Sequence, residues 1–94
     1  MPGEADPPTD PYAQAKRCLE IIGDALAEAG ASFADVVRTR VYLTSLDAFE
    51  GVGRAHGEVF GHIRPANATV VVAALVDPRW LVEMEADAVI RAAD

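Results

Sequence analysis

Two short stretches of this chain alternate side-chain character residue by residue, and that period of two restricts the fold more than any other feature. In residues 36–43, VVRTRVYL, the side chains of Val37, Thr39, Val41 and Leu43 share one face, and Arg38, Arg40 and Tyr42 share the other. From Trp80 to Ile90 the residues Val82, Met84, Ala86, Ala88 and Ile90 face one way, while Leu81, Glu83, Glu85, Asp87 and Val89 face the opposite way. Each segment predicts a strand with one apolar and one charged side.

Helical spacing occupies the chain between and before these strands. Asp10 is placed as an N-cap with Pro11 at the first helical position, where a missing N–H costs nothing. Beyond it Ala15, Cys18, Leu19, Ile22, Ala25, Leu26 and Ala29 recur at three- and four-residue intervals, and Gly30 stands where a helix-terminating glycine is expected. A second helix is predicted from near Ser45, with Phe49, Val52, His56 and Val59 or Phe60 on its apolar stripe. Gly51, Gly53 and Gly57 weaken it by about 1 kcal/mol each relative to alanine, so tertiary packing has to hold it. Their GxGxxxG spacing is one residue too long for a dinucleotide fingerprint and lies inside a helix, which favours close helix packing over nucleotide binding.

A nearly continuous apolar run, Ala68 to Leu75, predicts a strand covered on both faces, and Asp77 and Pro78 mark a turn after it. The element order is then helix, strand, helix, strand, strand, an α+β arrangement in which two helices cover one face of the sheet. The other face, with Arg38, Arg40, Glu83, Glu85 and Asp87 beside Tyr42, Leu81 and Val89, is expected to pack between subunits. Self-association suits a chain of 94 residues, because a lone domain of that size buries only about two-thirds of the surface its unfolded chain exposes.

Composition narrows the function classes. Residues 1–12 are a proline-rich acidic arm, with four prolines by Pro11, and residues 13–94 form one domain. A net charge of -7 repels a phosphate backbone, so nucleic acid is not expected as a partner. No apolar run is long enough to cross a bilayer and no basic-then-apolar leader opens the chain, so a cytoplasmic location is expected. One cysteine, Cys18, and two histidines, His56 and His62, fit neither a disulfide framework nor a zinc site, and no metal or cofactor is expected. Cys18 reads as an inert core thiol and His56 as a core histidine bonded to a backbone carbonyl, whereas His62 is the more exposed candidate. Glu83, Glu85 and Asp87 are either the wet side of a strand or the source of a general base at a subunit seam.

Two longer stretches, QAKRCLEIIGDALAEAGASFADVVRTRVYL and PANATVVVAALVDPRWLVEMEADAVI, resemble the RidA family, also called YjgF and often labelled endoribonuclease L-PSP or translation inhibitor. Gln14, Leu19, Gly30, Asp35, Phe49, Phe60, Pro65, Ala66, Leu75, Glu83 and Glu85 are among the positions that match, over roughly residues 13–90. The resemblance implies a chorismate-mutase-like homotrimer of the bacillary type, with helices outside, sheets lining an inner barrel and ligand clefts between subunits. It also implies cofactor-independent hydrolysis of 2-imino and enamino acids, as by a 2-iminobutanoate/2-iminopropanoate deaminase.

Carried over residue by residue, the resemblance makes Glu83 the acid that positions the attacking water. The family's carboxylate-gripping arginine of a Pro-Ala-Arg signature falls on Asn67, a neutral amide that cannot supply a bidentate charged clamp. Asn67 and Thr69 are the expected polar lining, and Arg40, or Arg38, on the neighbouring strand is the candidate replacement cation. A second departure is at the amino terminus, where the family has further strands that complete the sheet. The expected function is binding, and possible hydrolysis, of a small anionic or carbonyl-bearing metabolite at subunit interfaces. The alternatives are a non-catalytic regulatory or interaction subunit and, less well supported by the acidic charge, an endoribonuclease.

Overall fold

The computed structural model describes residues 7–90, so residues 1–6 of the expected arm lie outside the described residues. Helix α1 (Pro11–Glu28) starts as its sequence dictates, with the Asp10 carboxylate accepting the Ala13 N–H at 3.2 Å and proline in the first turn. It stops at Gly30, whose φ of +81° is cheap only for glycine. There the Ala31 N–H reaches back to the Leu26 carbonyl at 2.8 Å and the Gly30 N–H to that of Ala27 at 3.1 Å, capping the last turn. The stripe that α1 buries differs from the one expected: Ala15 and Leu19 are in the core, Ala25 and Ala29 are exposed, and the polar Gln14 is fully buried.

A turn of 3-10 helix at Phe33–Asp35 leads into β1 (Val36–Leu43). Thr39, Val41 and Leu43 face the core as the alternation predicts, but Val36 is buried and Val37 is 48% exposed. The cause is a bulge: Val36 pairs with Ala88 and Arg38 with Asp87, so two steps along β1 match one along its neighbour. The extra residue moves Val37 out of the core face and lets Val36 take its place.

Ser45 opens the next segment, accepting the Asp47 N–H at 3.1 Å, and a 3-10 turn at Leu46–Ala48 runs into α2 (Phe49–Phe60). Val52, Ala55 and Phe60 are buried there, while Phe49 is 55% exposed. Close helix packing explains Gly51, where an added Cβ would lie 3.1 Å from the backbone nitrogen of Tyr12. It does not explain Gly53 or Gly57, which face open space. Tyr12 ties the helices together, donating to Glu58 at 2.6 Å with the Arg54 guanidinium 4.1 Å from its ring centre.

Strands β2 (Ala66–Val71) and β3 (Val82–Ala88) flank β1 in the order β2-β1-β3, the first pairing parallel and the second antiparallel. Both helices lie on one face of this mixed sheet, as expected. The core there joins Ala15, Leu19, Val41, Leu43, Val52, Ala55, Phe60 and Val82, with Phe33 edge-on to Phe60 at 5.5 Å. The expectation of a doubly covered strand from Ala68 to Leu75 is corrected: β2 is an edge strand ending at Val71, and Val70 and Val71 are about half exposed. Leu81, Val89 and Ile90 likewise fall outside β3. Its start is pinned from α1, because the Gln14 side chain donates to the carbonyls of Pro8 (2.7 Å) and Arg79 (2.9 Å) and accepts the Leu81 N–H (2.7 Å).

Candidate functional site

The candidate residues sort onto two sides of the sheet. On the helix-free side, Arg38, Arg40 and Tyr42 of β1 lie opposite Asp87, Glu85 and Glu83 of β3. Arg38 donates to Asp87 at 2.8 and 3.0 Å, and Arg40 reaches Asp87 at 3.3 Å and Glu85 at 3.5 Å. Tyr42 donates to Glu85, one position diagonal from its direct partner.

These contacts hold the Asp87 carboxyl below its ordinary range, first through Arg38 and then through Arg40. Glu85 is lowered by Tyr42 and Arg40, while Arg40 and Tyr42 are raised because Asp87 and Glu85 bind their protonated forms. All of these groups meet solvent in the single chain, where such pairs add little stability. Their positions are nonetheless fixed by the strand register. Glu83 is the exception, since it is exposed and makes no hydrogen bond or ion pair among the described residues. Its carboxylate is the one acid of the three left available to something outside the chain.

Asn67 and Thr69 stand on the other side of the sheet. Asn67 pairs with Thr39 and Thr69 with Val41, both of which face the helices. Thr69 donates its hydroxyl proton to Asn67 Oδ1 at 3.0 Å, Asn67 Nδ2 donates to Thr39 Oγ1 at 3.0 Å, and Thr39 Oγ1 lies 2.8 Å from His56 Nε2. His56 therefore bonds to a buried hydroxyl, not to the backbone carbonyl expected for it. Burial pushes the His56 imidazole below its ordinary pKa. A hollow of ≈ 90 Å³ opens between α2 and β2 beside Asn67, Thr69 and His56.

A larger, mostly apolar groove of ≈ 430 Å³ runs along the outer edge of β3 beneath Cys18, Ile22 and Trp80, with Glu83 and Glu85 at its rim. Cys18 is half-buried in its wall. His62 is exposed and lines none of these hollows.

Within the chain, then, Arg40 and Glu83 do not share a face with Asn67 and Thr69. Arg40 is engaged by two carboxylates across the sheet from Asn67, so it does not stand beside Asn67 as a substitute cation in the same chain. Sequence reasoning missed the connection of His56 to Asn67 through Thr39 and the clamp made by Gln14. A glutamine inside an apolar helical stripe was the available signal for the latter.

The architecture is that of an α+β, chorismate-mutase-like domain with its candidate residues divided between the two sides of the sheet. A family model described as Endoribonuclease L-PSP matches residues 2–90, and the chain belongs to that family, the one the RidA/YjgF resemblance indicated. It is 44% identical over 73 residues to a RutC family protein of Pyrococcus abyssi, covering 78% of this chain and 57% of that one. To a mouse 2-iminobutanoate/2-iminopropanoate deaminase it is 40% identical over 77 residues, covering 81% and 56% respectively. A crystal structure of a YjgF/YER057c/UK114 family member, Rv2704 of Mycobacterium tuberculosis, superposes with a TM-score of 0.86 at 47% identity, covering 88% of this chain and 70% of that one. The chain spans 57 to 60% of the length of the first three curated relatives it matches. Among the described residues no helix is long and apolar enough to cross a membrane.

Proposed function

We propose that this chain is one subunit of a cytoplasmic homotrimer that binds a small carbonyl- or imine-bearing metabolite at the seam between copies and hydrolyses its imine form slowly. The observation that carries this reading is the split of the candidate residues by the sheet. Glu83 projects from the helix-free side, whereas Asn67 and Thr69 lie toward α2, so the two sets meet only if one comes from a neighbouring subunit. The helix-free side also carries apolar surface at Val70 and Tyr42, which favours its being covered.

In this reading Glu83 orients water and takes its proton as the oxygen adds to the imine carbon. The nitrogen takes up that proton and then the hydroxyl proton of the resulting carbinolamine, and it leaves as ammonia as the carbonyl forms. Asn67 and Thr69 of the adjacent subunit hold the polar atoms of the metabolite. Kinship with the mouse and human deaminases, at 40 and 37% identity, supports the reaction class.

The absence of a guanidinium at Asn67 favours a second reading, a ligand-binding regulatory subunit without turnover. Ammonia release from 2-iminopropanoate generated in situ separates the two. Hydrolysis by the unaltered chain that is lost in Glu83→Gln and kept in Glu85→Gln supports the first reading. Equal losses in both variants remove Glu83 from its role, and no hydrolysis at all leaves the regulatory reading.

A further inference from the structure

We propose that the hollow between α2 and β2 is a specificity pocket for an uncharged polar group that carries both a hydrogen-bond donor and an acceptor, as a carboxamide does, and that it rejects a carboxylate. The inference deepens the reading above and rests on it in one respect, that Asn67 and Thr69 face the metabolite.

The pocket's walls set its size and polarity. Phe49, Val52 and Gly53 of α2 and Val41 of β1 are apolar, and the polar end consists of His56, Asn67 and Thr69 alone. No charged side chain lines it. A space of ≈ 90 Å³ is several times what one water needs and smaller than the roughly 150 Å³ that holds benzene, so it takes a headgroup of a few heavy atoms. An ion entering it meets no counter-charge from the lining.

The hydrogen-bond chain fixes what the polar end offers. Thr39 Oγ1 accepts from Asn67 and lies 2.8 Å from His56 Nε2. The Asn67 amide donates to Thr39 through Nδ2. Its Oδ1 in turn consumes the hydroxyl proton of Thr69. What remains for a ligand is the second N–H of Asn67 as donor and the lone pairs of Thr69 as acceptor. A carboxamide satisfies both, whereas a carboxylate, which only accepts, would face the Thr69 lone pairs. His56 contacts the Thr39 hydroxyl and not the ligand's reacting atoms, and is a positioning residue.

The test uses the full chain and a matched pair of probes, 2-oxobutanamide and 2-oxobutanoate, titrated by NMR while the Asn67 side-chain amide and the Thr69 methyl are followed. The amide is expected to give saturable shifts at both residues, with the carboxylate weaker by about ten-fold or more. Thr69→Val, which removes the acceptor, is expected to abolish this preference. His56→Phe keeps a ring against Phe60 but removes the partner of the Thr39 hydroxyl, and the preference is expected to fall with the fold intact by circular dichroism. Equal or tighter carboxylate binding overturns the proposal, as does the absence of amide shifts at Asn67 and Thr69. Failure here is distinguishable from failure of the hydrolytic reading. Amide binding without imine hydrolysis leaves the pocket assignment standing, whereas hydrolysis of 2-imino acids with tight carboxylate binding overturns the pocket assignment alone.

Discussion

Replacing Gln14 with leucine would remove the fastening that sets where β3 begins. The side chain is fully buried and makes three hydrogen bonds of 2.7 to 2.9 Å, to Pro8, Arg79 and Leu81. Leucine fills a similar volume and adds no polar group, so the loss is one of hydrogen bonding. The Pro8 and Arg79 carbonyls lie near the surface and regain water, which limits their joint cost to about 1 kcal/mol. The Leu81 N–H is only partly exposed and has no other partner in this arrangement, so orphaning it costs about 1 to 3 kcal/mol.

The sum, about 2 to 4 kcal/mol, corresponds to a fall in Tm on the order of 10 to 20 °C for a domain of this size. Urea denaturation followed by circular dichroism, together with hydrogen exchange at the Leu81 amide, measures both parts. Gln14→Glu is the comparison: it keeps the acceptor for Leu81 but loses both donors and buries a charge, so it is expected to destabilise at neutral pH while protecting Leu81 better than leucine does. A leucine variant within about 0.5 kcal/mol of the parent, or with Leu81 exchange unchanged, refutes the clamp.

Further predictions concern His56 and the glycines of α2. The folded pKa of His56 is depressed, so as pH falls below the ordinary histidine value of about 6.5 the unfolded chain takes up a proton that the folded chain resists, and stability decreases. His56→Gln should flatten that acid limb in denaturation curves collected at a series of pH values; an unchanged limb would assign it to other groups. Gly57→Ala should raise stability by up to about 1 kcal/mol, because the added Cβ meets nothing within 4 Å and alanine favours the helix. Gly51→Ala should not, since its Cβ would press on Tyr12 at 3.1 Å; equal gains at both sites in thermal melts would contradict the packing role of Gly51.

Much of the fold was legible because local rules and tertiary structure agree. The Asp10–Pro11 start, the Gly30 stop and the alternation of β1 and β3 each have a short-range cause, and the element order follows from them. What was not legible depends on neighbours in space. The bulge that exchanges Val36 for Val37 is a property of the β1–β3 pairing, and VVRTRVYL has the same pattern with or without it. The apolar run from Ala68 looked doubly covered because composition reports how much cover a strand needs, not whether this chain supplies it. Glu83 and Asn67 were assigned together as site residues, yet the parity of their positions on β3 and β2 relative to β1 puts them on opposite sides of the sheet. Parity is readable from a sequence only after the register is known.

The central claim, that Glu83 of one subunit works with Asn67 and Thr69 of the next, is tested most directly by mixing two inactivated chains. Glu83→Gln and Asn67→Leu subunits are each prepared alone, shown to lack imine hydrolysis and to associate as the parent does, and then unfolded and refolded together. If the site spans two copies, the equimolar refolded mixture regains imine hydrolysis to about a quarter of the parent rate per site, since random assembly reunites an intact Glu83 with an intact Asn67 at that frequency. Mixtures no more active than the separate variants, although mixed oligomers have formed, would contradict the account.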